Sequence, residues 1–160
     1  MESDPEQALR CAMGAFATGV TVVAAAKGAG VSGLTVNSLT SVSLRPPLLL
    51  WCLGEQSARY DVFAAAELWG VTVLGGDEAP LALRYARAET ENVSADECEM
   101  LDGAPILKAG IAHLTCRTHE RRKAGDHLII IGEVLSLRAR SGAALSFYRG
   151  VYGRIEDPRG

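Results

Sequence analysis

Residues 33–53 read GLTVNSLTSVSLRPPLLLWCL, and the rest of the chain is best read outward from them. Gly33 to Val36 alternates like a strand. A hydroxyl-rich segment then follows, with Asn37, Ser38, Thr40, Ser41 and Ser43. Pro46 and Pro47 halt it before the apolar run Leu48 to Leu53. A polar strip held between two buried strands offers fixed N–H groups and hydroxyls to an acceptor-rich ligand. The plainer alternative is an ordinary Ser/Thr-rich turn.

Upstream, Asp4 is placed to cap a helix that has Pro5 in its first turn, where a missing N–H costs nothing. Leu9, Ala12, Met13 and Phe16 give that helix an apolar face and it ends between Gly14 and Thr18. Thr18 to Ala26 is rich in Val and Thr, and Gly28 and Gly30 turn it back into a strand from Val31 to Val36. The nearly continuous apolar run Val20 to Ala26 predicts cover on both faces.

Downstream, Leu48 to Leu53 reads as a buried strand. Ser57 to Ala66 reads as a helix with Tyr60, Phe63 and Ala64 on one face, and Leu68 to Leu74 as the next strand. Asp77 is a plausible cap for a helix through Arg87, with Leu81 and Tyr85 four apart. Ala88 to Pro105 is acidic and broken by Gly103 and Pro105, so it reads as an irregular surface excursion. From Gly110 to Thr118, Ala112, Leu114 and Cys116 alternate with a wetter face of His113, Thr115 and Arg117. Leu128 to Leu137 is a second long strand, with the charged ERRKAGD as the turn between them, and Leu145 to Tyr148 closes the pattern.

Some six or seven strands with two or three inserted helices favour a mainly β chain, a β-barrel with peripheral α-helices. A doubly wound parallel sheet requires a helix after nearly every strand. Gly28, Gly30 and Gly33 do match G-x-G-x-x-G in spacing. No helix follows them to bind phosphate, so the match reads as a hairpin turn.

At 160 residues, 48% of them hydrophobic and 22% charged, the chain is most economically one globular domain over residues 1–160, able to bury a core without metal or disulfide support. A net charge of −3 and a pI near 5.6 argue against nucleic-acid binding. Cys11, Cys52, Cys98 and Cys116 form no C-x-x-C pair and the three histidines have no ligand spacing, so no metal site is expected. Cys52 and Cys116 read as small buried hydrophobes in a reducing cytoplasm. The first residues lack the pattern of a signal peptide, and no apolar run reaches the roughly 18 residues of a membrane span.

Four blocks, taken in order, carry a family resemblance: AMGAFATGVTVVAA (Ala12 to Ala25), residues 33–53, GDHLIIIGEVLSL (Gly125 to Leu137) and LSFYRGVYGRI (Leu145 to Ile155). On these blocks the chain resembles the flavin reductase-like family, the FMN-binding split barrels that serve two-component monooxygenases, and the resemblance extends over nearly the whole chain, from about Gln7 to Ile155. The resemblance implies a Greek-key-like split β-barrel forming a homodimer with flavin at or near the subunit interface. The implied activity is an NAD(P)H:flavin oxidoreductase, which reduces FMN (or FAD) with NADH or NADPH and supplies reduced flavin to a monooxygenase. Position by position, Thr35, Val36, Asn37 and Ser38 fall along the isoalloxazine and ribityl chain, followed by Thr40 and Ser41. Cys52, Leu53 and Gly54 form a second flavin edge, and Ser57 and Arg59 fall where the family meets the phosphate. His127 falls on the nicotinamide side, where it would stack against or hydrogen-bond the pyridine nucleotide and help protonate reduced flavin, with Tyr148 and Tyr152 flanking the same cleft.

These positions make physical sense. Flavin is planar and amphipathic, so it suits an apolar wall with a few fixed donors. The implied chemistry is direct hydride transfer from nicotinamide to the flavin N5, in which stacking the rings at about 3–3.5 Å does most of the work. Glu78 and Tyr85 stand where the family commonly has a glutamine and a phenylalanine. His113 and His119 have no motif around them. The family also holds flavin-bound electron carriers, so a carrier or sensor without nicotinamide turnover is the alternative. A heme-binding or pyridoxamine-oxidase-like split barrel is a third reading, against which TVNS and GDH argue.

Overall fold

The computed structural model describes residues 4–87 and 92–159. In chain order the elements are α1 (Pro5–Gly14), β1 (Thr18–Gly19), β2 (Thr21–Lys27), β3 (Gly30–Val36), β4 (Thr40–Leu44), β5 (Pro47–Gly54), α2 (Tyr60–Ala65) and β6 (Leu68–Val73). They continue as α3 (Ala79–Ala86), β7 (Asn92–Val93), β8 (Cys98–Leu101), β9 (Ala104–Leu107), β10 (Ala112–Ala124), β11 (His127–Ala139), β12 (Ala144–Tyr148) and β13 (Val151–Ile155). The mainly β class and the inserted helices are as expected, but the strands among the described residues number thirteen rather than six or seven.

Eight strands form one antiparallel sheet in the order β4-β5-β11-β10-β6-β2-β3-β7. Consecutive strands β3 and β4 lie near opposite edges of it, yet only residues 37–39 separate them. Four Cα steps reach at most about 14 Å, so the sheet must roll until its edges approach. The Ser38 hydroxyl stitches that approach, accepting from the Cys52 N–H at 3.0 Å. No ladder joins β3 to β4, so the roll stays split at this seam, where the polar strip runs.

The rolled sheet encloses Val23, Val71, Leu53, Ile130 and Cys116 around three rings. Trp51 meets Phe63 of α2 edge-on at 5.4 Å and Trp69 at 6.0 Å, geometries favoured by aromatic quadrupoles. Tyr60 and Ala64 join Phe63 on the packed face of α2. Two glycines let this centre close. A Cβ on Gly132 would sit 2.4 Å from the Trp69 ring, and one on Gly70 would sit 2.0 Å from the Pro105 carbonyl oxygen.

The expected β2–β3 hairpin forms, with Lys27 opposite Gly30 and Gly28 at φ 59° in its turn. Val20 to Ala25 is buried throughout. Four other expectations are corrected. Residues 92–105 are not an irregular excursion: they form β7, β8 and the start of β9, while residues 88–91 lie outside the described residues. The β8–β9 hairpin covers one face of β10, so His113 is 6% exposed and Thr115 fully buried, reversing the expected wet face. ERRKA is not a turn but the end of β10, pairing through Ala124 with His127 and leaving Gly125 and Asp126 to turn. Asp77 does not cap α3: Glu78 holds the N-cap position, and Asp77 instead pairs with Arg154 at 2.7 Å.

Asp4 caps α1 as expected, accepting from the Glu6 N–H. The helix nevertheless buries none of its residues, and Leu9, Met13 and Phe16 stay 64%, 58% and 68% exposed. All four cysteines are free. Cys116 is fully buried, and desolvation pushes its thiol to about 12. Cys52 is only half-buried, with its thiol also raised by burial. Among the described residues no helix is long and apolar enough to cross a membrane.

Candidate flavin site at the seam of the rolled sheet

The seam opens into a cleft of about 570 Å³, within the range of small-molecule sites. Asn37, Ser38, Leu39 and Thr40 form one side of it. Met13 of α1, Phe16 just beyond its end, Thr18 and Val73 are among the residues that line the remainder. The Thr18 hydroxyl is buried without a partner, a state that costs about 1–3 kcal/mol unless a ligand group meets it. A smaller hollow of about 140 Å³ continues past Asn37, lined by Thr35, Val36, Ala86, Phe147 and Tyr152. Phe147 and Tyr152 meet with tilted rings, 5.2 Å between centroids, across the β12–β13 ladder and wall this end.

Within the strip the side chains divide their tasks. The Thr35 hydroxyl donates to the Ala82 carbonyl at 2.7 Å, fastening β3 to α3. Val36 is buried at the core edge, and Ser38 is engaged with Cys52. Asn37, Thr40 and Ser41 are exposed, with Thr40 opposite Leu50 and Ser41 opposite Leu49 on the neighbouring strand. Leu53 is fully buried and packs inward, so only its backbone can face a ligand.

The far end of β5 gathers a second group. Gly54 is in register with His127, and a Cβ on Gly54 would lie 3.5 Å from the His127 Nε2. His127 is partly exposed, and its Nδ1 lies 2.8 Å from the Asp126 carboxylate. That hydrogen bond is the main reason the Asp126 carboxyl is held below its usual range. With Asp126 as acceptor, Nδ1 carries the proton and Nε2 is the nitrogen turned toward Gly54. Ser57 closes the turn after Gly54: its N–H donates to the Gly54 carbonyl and its hydroxyl accepts from the Arg59 N–H.

Arg59 is 2% exposed, and its guanidinium reaches inward to donate to the Arg87 carbonyl at the end of α3. Tyr148 sits apart from the strip, at the tip of the β12–β13 hairpin under the Arg149 guanidinium, 5.5 Å from the ring centroid. The structure thus brings Thr35 to Thr40 together with Tyr152, and Gly54 and Ser57 together with His127. Ser38 and Cys52 link the two groups.

Met13, Phe16, Thr18 and Phe147 are cleft residues that sequence reasoning passed over. For the first three the signal was present in the block AMGAFATG, where a helical apolar face runs directly into a threonine, whereas Phe147 lies in the separate block LSFYRGVYGRI. An apolar face is ordinarily assigned to the core, and only the fold reveals that this one looks outward.

The two departures from the family pattern become structural. Glu78 accepts from the Gly75 N–H at 2.7 Å and the Gly110 N–H at 2.9 Å, clamping two turns with one carboxylate. Tyr85 is fully buried, and its hydroxyl donates to the Glu97 carboxylate, which also pairs with Arg84. His113, one of the two histidines without a motif, lies 2.7 Å from the Ala109 carbonyl through Nε2 and receives Arg138 at Nδ1, so it is used structurally.

Known proteins similar to this chain include several flavin reductases. An FMN reductase (NADH) of Agrobacterium fabrum is 40% identical over 149 residues, covering 93% of this chain and 86% of the relative. The reductase component of a 4-nitrophenol 4-monooxygenase/4-nitrocatechol 2-monooxygenase from Rhodococcus opacus is 33% identical, covering 91% and 79%. Among solved structures, an NADH:FAD oxidoreductase of Streptomyces globisporus in complex with NAD and FAD fragments superposes with a TM-score of 0.85. That structure is 32% identical and covers 100% of this chain and 99% of its own. The family model for the flavin reductase like domain matches residues 13–156, and on these grounds the chain belongs to the flavin reductase-like family.

Proposed function

We propose that this protein, acting as a single domain in the cytoplasm, is an NADH:flavin oxidoreductase that takes FMN or FAD and supplies reduced flavin to a partner monooxygenase. The observation that carries the reading is the seam cleft. Exposed apolar Met13 and Phe16 meet the polar edge Asn37 to Thr40 there, beside a buried and unpartnered Thr18 hydroxyl. An isoalloxazine ring needs that combination of apolar wall and fixed polar rim, and the cleft volume accommodates it. The residues present therefore fit a flavin.

In this reading Asn37, Ser38, Thr40 and the backbone of Cys52 to Gly54 orient the ring edge. Thr35 and Val36 set the strip by anchoring it to α3 and the core. The Ser57–Arg59 turn takes the phosphate end. Bound flavin supplies the acceptor for a hydride from reduced nicotinamide. What the chain adds is alignment, which replaces a bimolecular encounter, and backbone N–H groups beside the ring where negative charge develops. His127, with Asp126 holding its Nδ1 proton, faces the nicotinamide side and can pass a proton at Nε2. Tyr152 walls the same side, and Tyr148 flanks it from the hairpin tip.

Purified protein mixed with NADH and excess FMN or FAD should give steady loss of the nicotinamide absorbance. Absence of turnover with both flavins and both nicotinamide dinucleotides would overturn the reading.

A further inference from the structure

We propose that a hollow at the end of the β10–β11 arm away from His127 binds phosphate, free or as a small monoester, with Lys108, Arg138 and Arg140 as its ligands. The inference goes beyond the flavin reductase reading and does not depend on it. The hollow has a volume of about 230 Å³. That lies below the usual range of cofactor sites and suits a phosphoryl group with a few waters. Its lining holds these three cations and no carboxylate, in a chain of net charge −3. Arg138 and His127 are near opposite ends of β11, about 35 Å apart along an extended strand, so this is not the flavin cleft.

The floor of the hollow is rigid. Gly110 turns at φ 98°, and a Cβ there would lie 2.5 Å from the Thr72 side chain. Its N–H is held by the Glu78 carboxylate at 2.9 Å. The two carbonyls of this turn each take one donor: that of Ala109 takes His113 Nε2 at 2.7 Å, and that of Gly110 takes Arg140 Nε at 3.2 Å. His113 is 6% exposed, and with its proton on Nε2 its Nδ1 accepts from Arg138 Nε at 3.3 Å. Both arginines are therefore fixed at Nε, which leaves their terminal nitrogens as donors for a ligand. The Arg140 N–H donates to the Ile111 carbonyl at 2.9 Å and so continues the β10–β11 ladder past Ala139. Residues two apart on a strand share a face with Cα atoms about 6.5 Å apart, across which two guanidinium groups can share one phosphate.

One carboxylate already competes for this place. Glu99 pairs with Arg138. Its carboxyl is held below the usual range, chiefly by that hydrogen bond, and the Lys108 charge adds to the effect, so Lys108 acts on the same spot. Among the described residues neither Lys108 nor Arg140 takes part in an ion pair; each donates to a backbone carbonyl, Lys108 to that of Asp96 at 2.7 Å. Three cations against one carboxylate leave two positive charges, which a phosphate dianion matches.

The test is calorimetry with inorganic phosphate, at an ionic strength held constant with chloride, on the full chain and on Lys108→Gln, Arg140→Gln and Glu99→Gln. The wild type should show saturable binding at one site. Lys108→Gln and Arg140→Gln should each weaken it about three- to tenfold, the effect of a charge-assisted contact at a partly exposed site. Glu99→Gln releases Arg138 and should tighten binding about threefold. Changes of opposite sign arise neither from misfolding nor from a general salt effect. Thermal midpoints in phosphate should rise in the same order, by linkage.

Glycerol phosphate separates the two sources. Binding as tight as that of inorganic phosphate assigns the hollow to a monoester, and weaker binding assigns it to the free ion. Phosphate binding that all three variants leave unchanged lies elsewhere, and it overturns the proposal, as does a wild type without saturable binding. NADH oxidation with excess flavin should stay at the wild-type rate in all three variants. A wild type that binds phosphate in this pattern but oxidises no NADH would sink the reductase reading alone.

Discussion

Asn37 and Arg59 show how differently two residues of one site can act. Asn37 is exposed, lines both hollows of the seam and carries no structural duty that its neighbours lack. Asn37→Ala should leave the thermal midpoint within a degree or two while weakening flavin binding about three- to tenfold, the net worth of one hydrogen bond. Flavin fluorescence titration reads this directly. Arg59 is 2% exposed and already donates to the Arg87 carbonyl. Its removal should therefore cost about 1.5–3 kcal/mol in urea unfolding, the range for a charge-assisted hydrogen bond. If its guanidinium also meets the flavin phosphate, Arg59→Ala raises the KM for FMN more than that for riboflavin, which has no phosphate. Equal losses with the two flavins would leave Arg59 as a tether alone.

At the scale of elements, α3 links the core to the site. Thr35 ties it to the strip, Arg59 holds its end, and Tyr85 with Arg84 pins it to Glu97. Burial, then the nearby Glu97 charge, pushes the Tyr85 hydroxyl from 10.0 to about 12. The neutral phenol is favoured in the fold, so as pH rises from 10 toward 12 the unfolded chain ionises first and stability falls. Urea midpoints should decline over that interval, and Tyr85→Phe should decline less; equal slopes would refute the assignment. These elements also mark how far the sequence could be read. The β2–β3 hairpin was legible because a Val/Thr run, a Gly turn and a second run agree in period. The ends of β10 and β11 were not, because ERRKA is polar on both faces, as a hairpin projecting into solvent permits. The β8–β9 hairpin was hidden by its brevity, four residues a strand. The strip itself was visible as polar chemistry, whereas its partners Met13, Phe16 and Thr18 come from another element and meet it only when the sheet rolls.

For the molecule as a whole, the distribution of apolar surface points past one chain. Besides Leu9 and Met13 of α1 and Phe16 just after it, Leu44 is 88% exposed, Leu137 66% and Val151 68%. Scattered exposed apolar residues are ordinary, but a ten-residue helix that buries nothing is not, since an amphipathic helix in water draws most of its stability from packing its apolar face. A second copy of this chain is the partner we propose for these faces, as the family resemblance implies, and it would also cover the open side of the seam cleft beside Phe16. Light scattering should then give about twice the 16.9 kDa of one chain at micromolar concentration. Leu9→Glu and Leu44→Glu, both outside the cleft lining, should shift the mass toward the monomer by burying a charge in the interface. In that proposed arrangement association completes the cleft, so flavin affinity should fall in step with the dimer fraction on dilution. A wild-type monomer that binds flavin with the same affinity at every protein concentration would separate the site from the assembly and refute this arrangement.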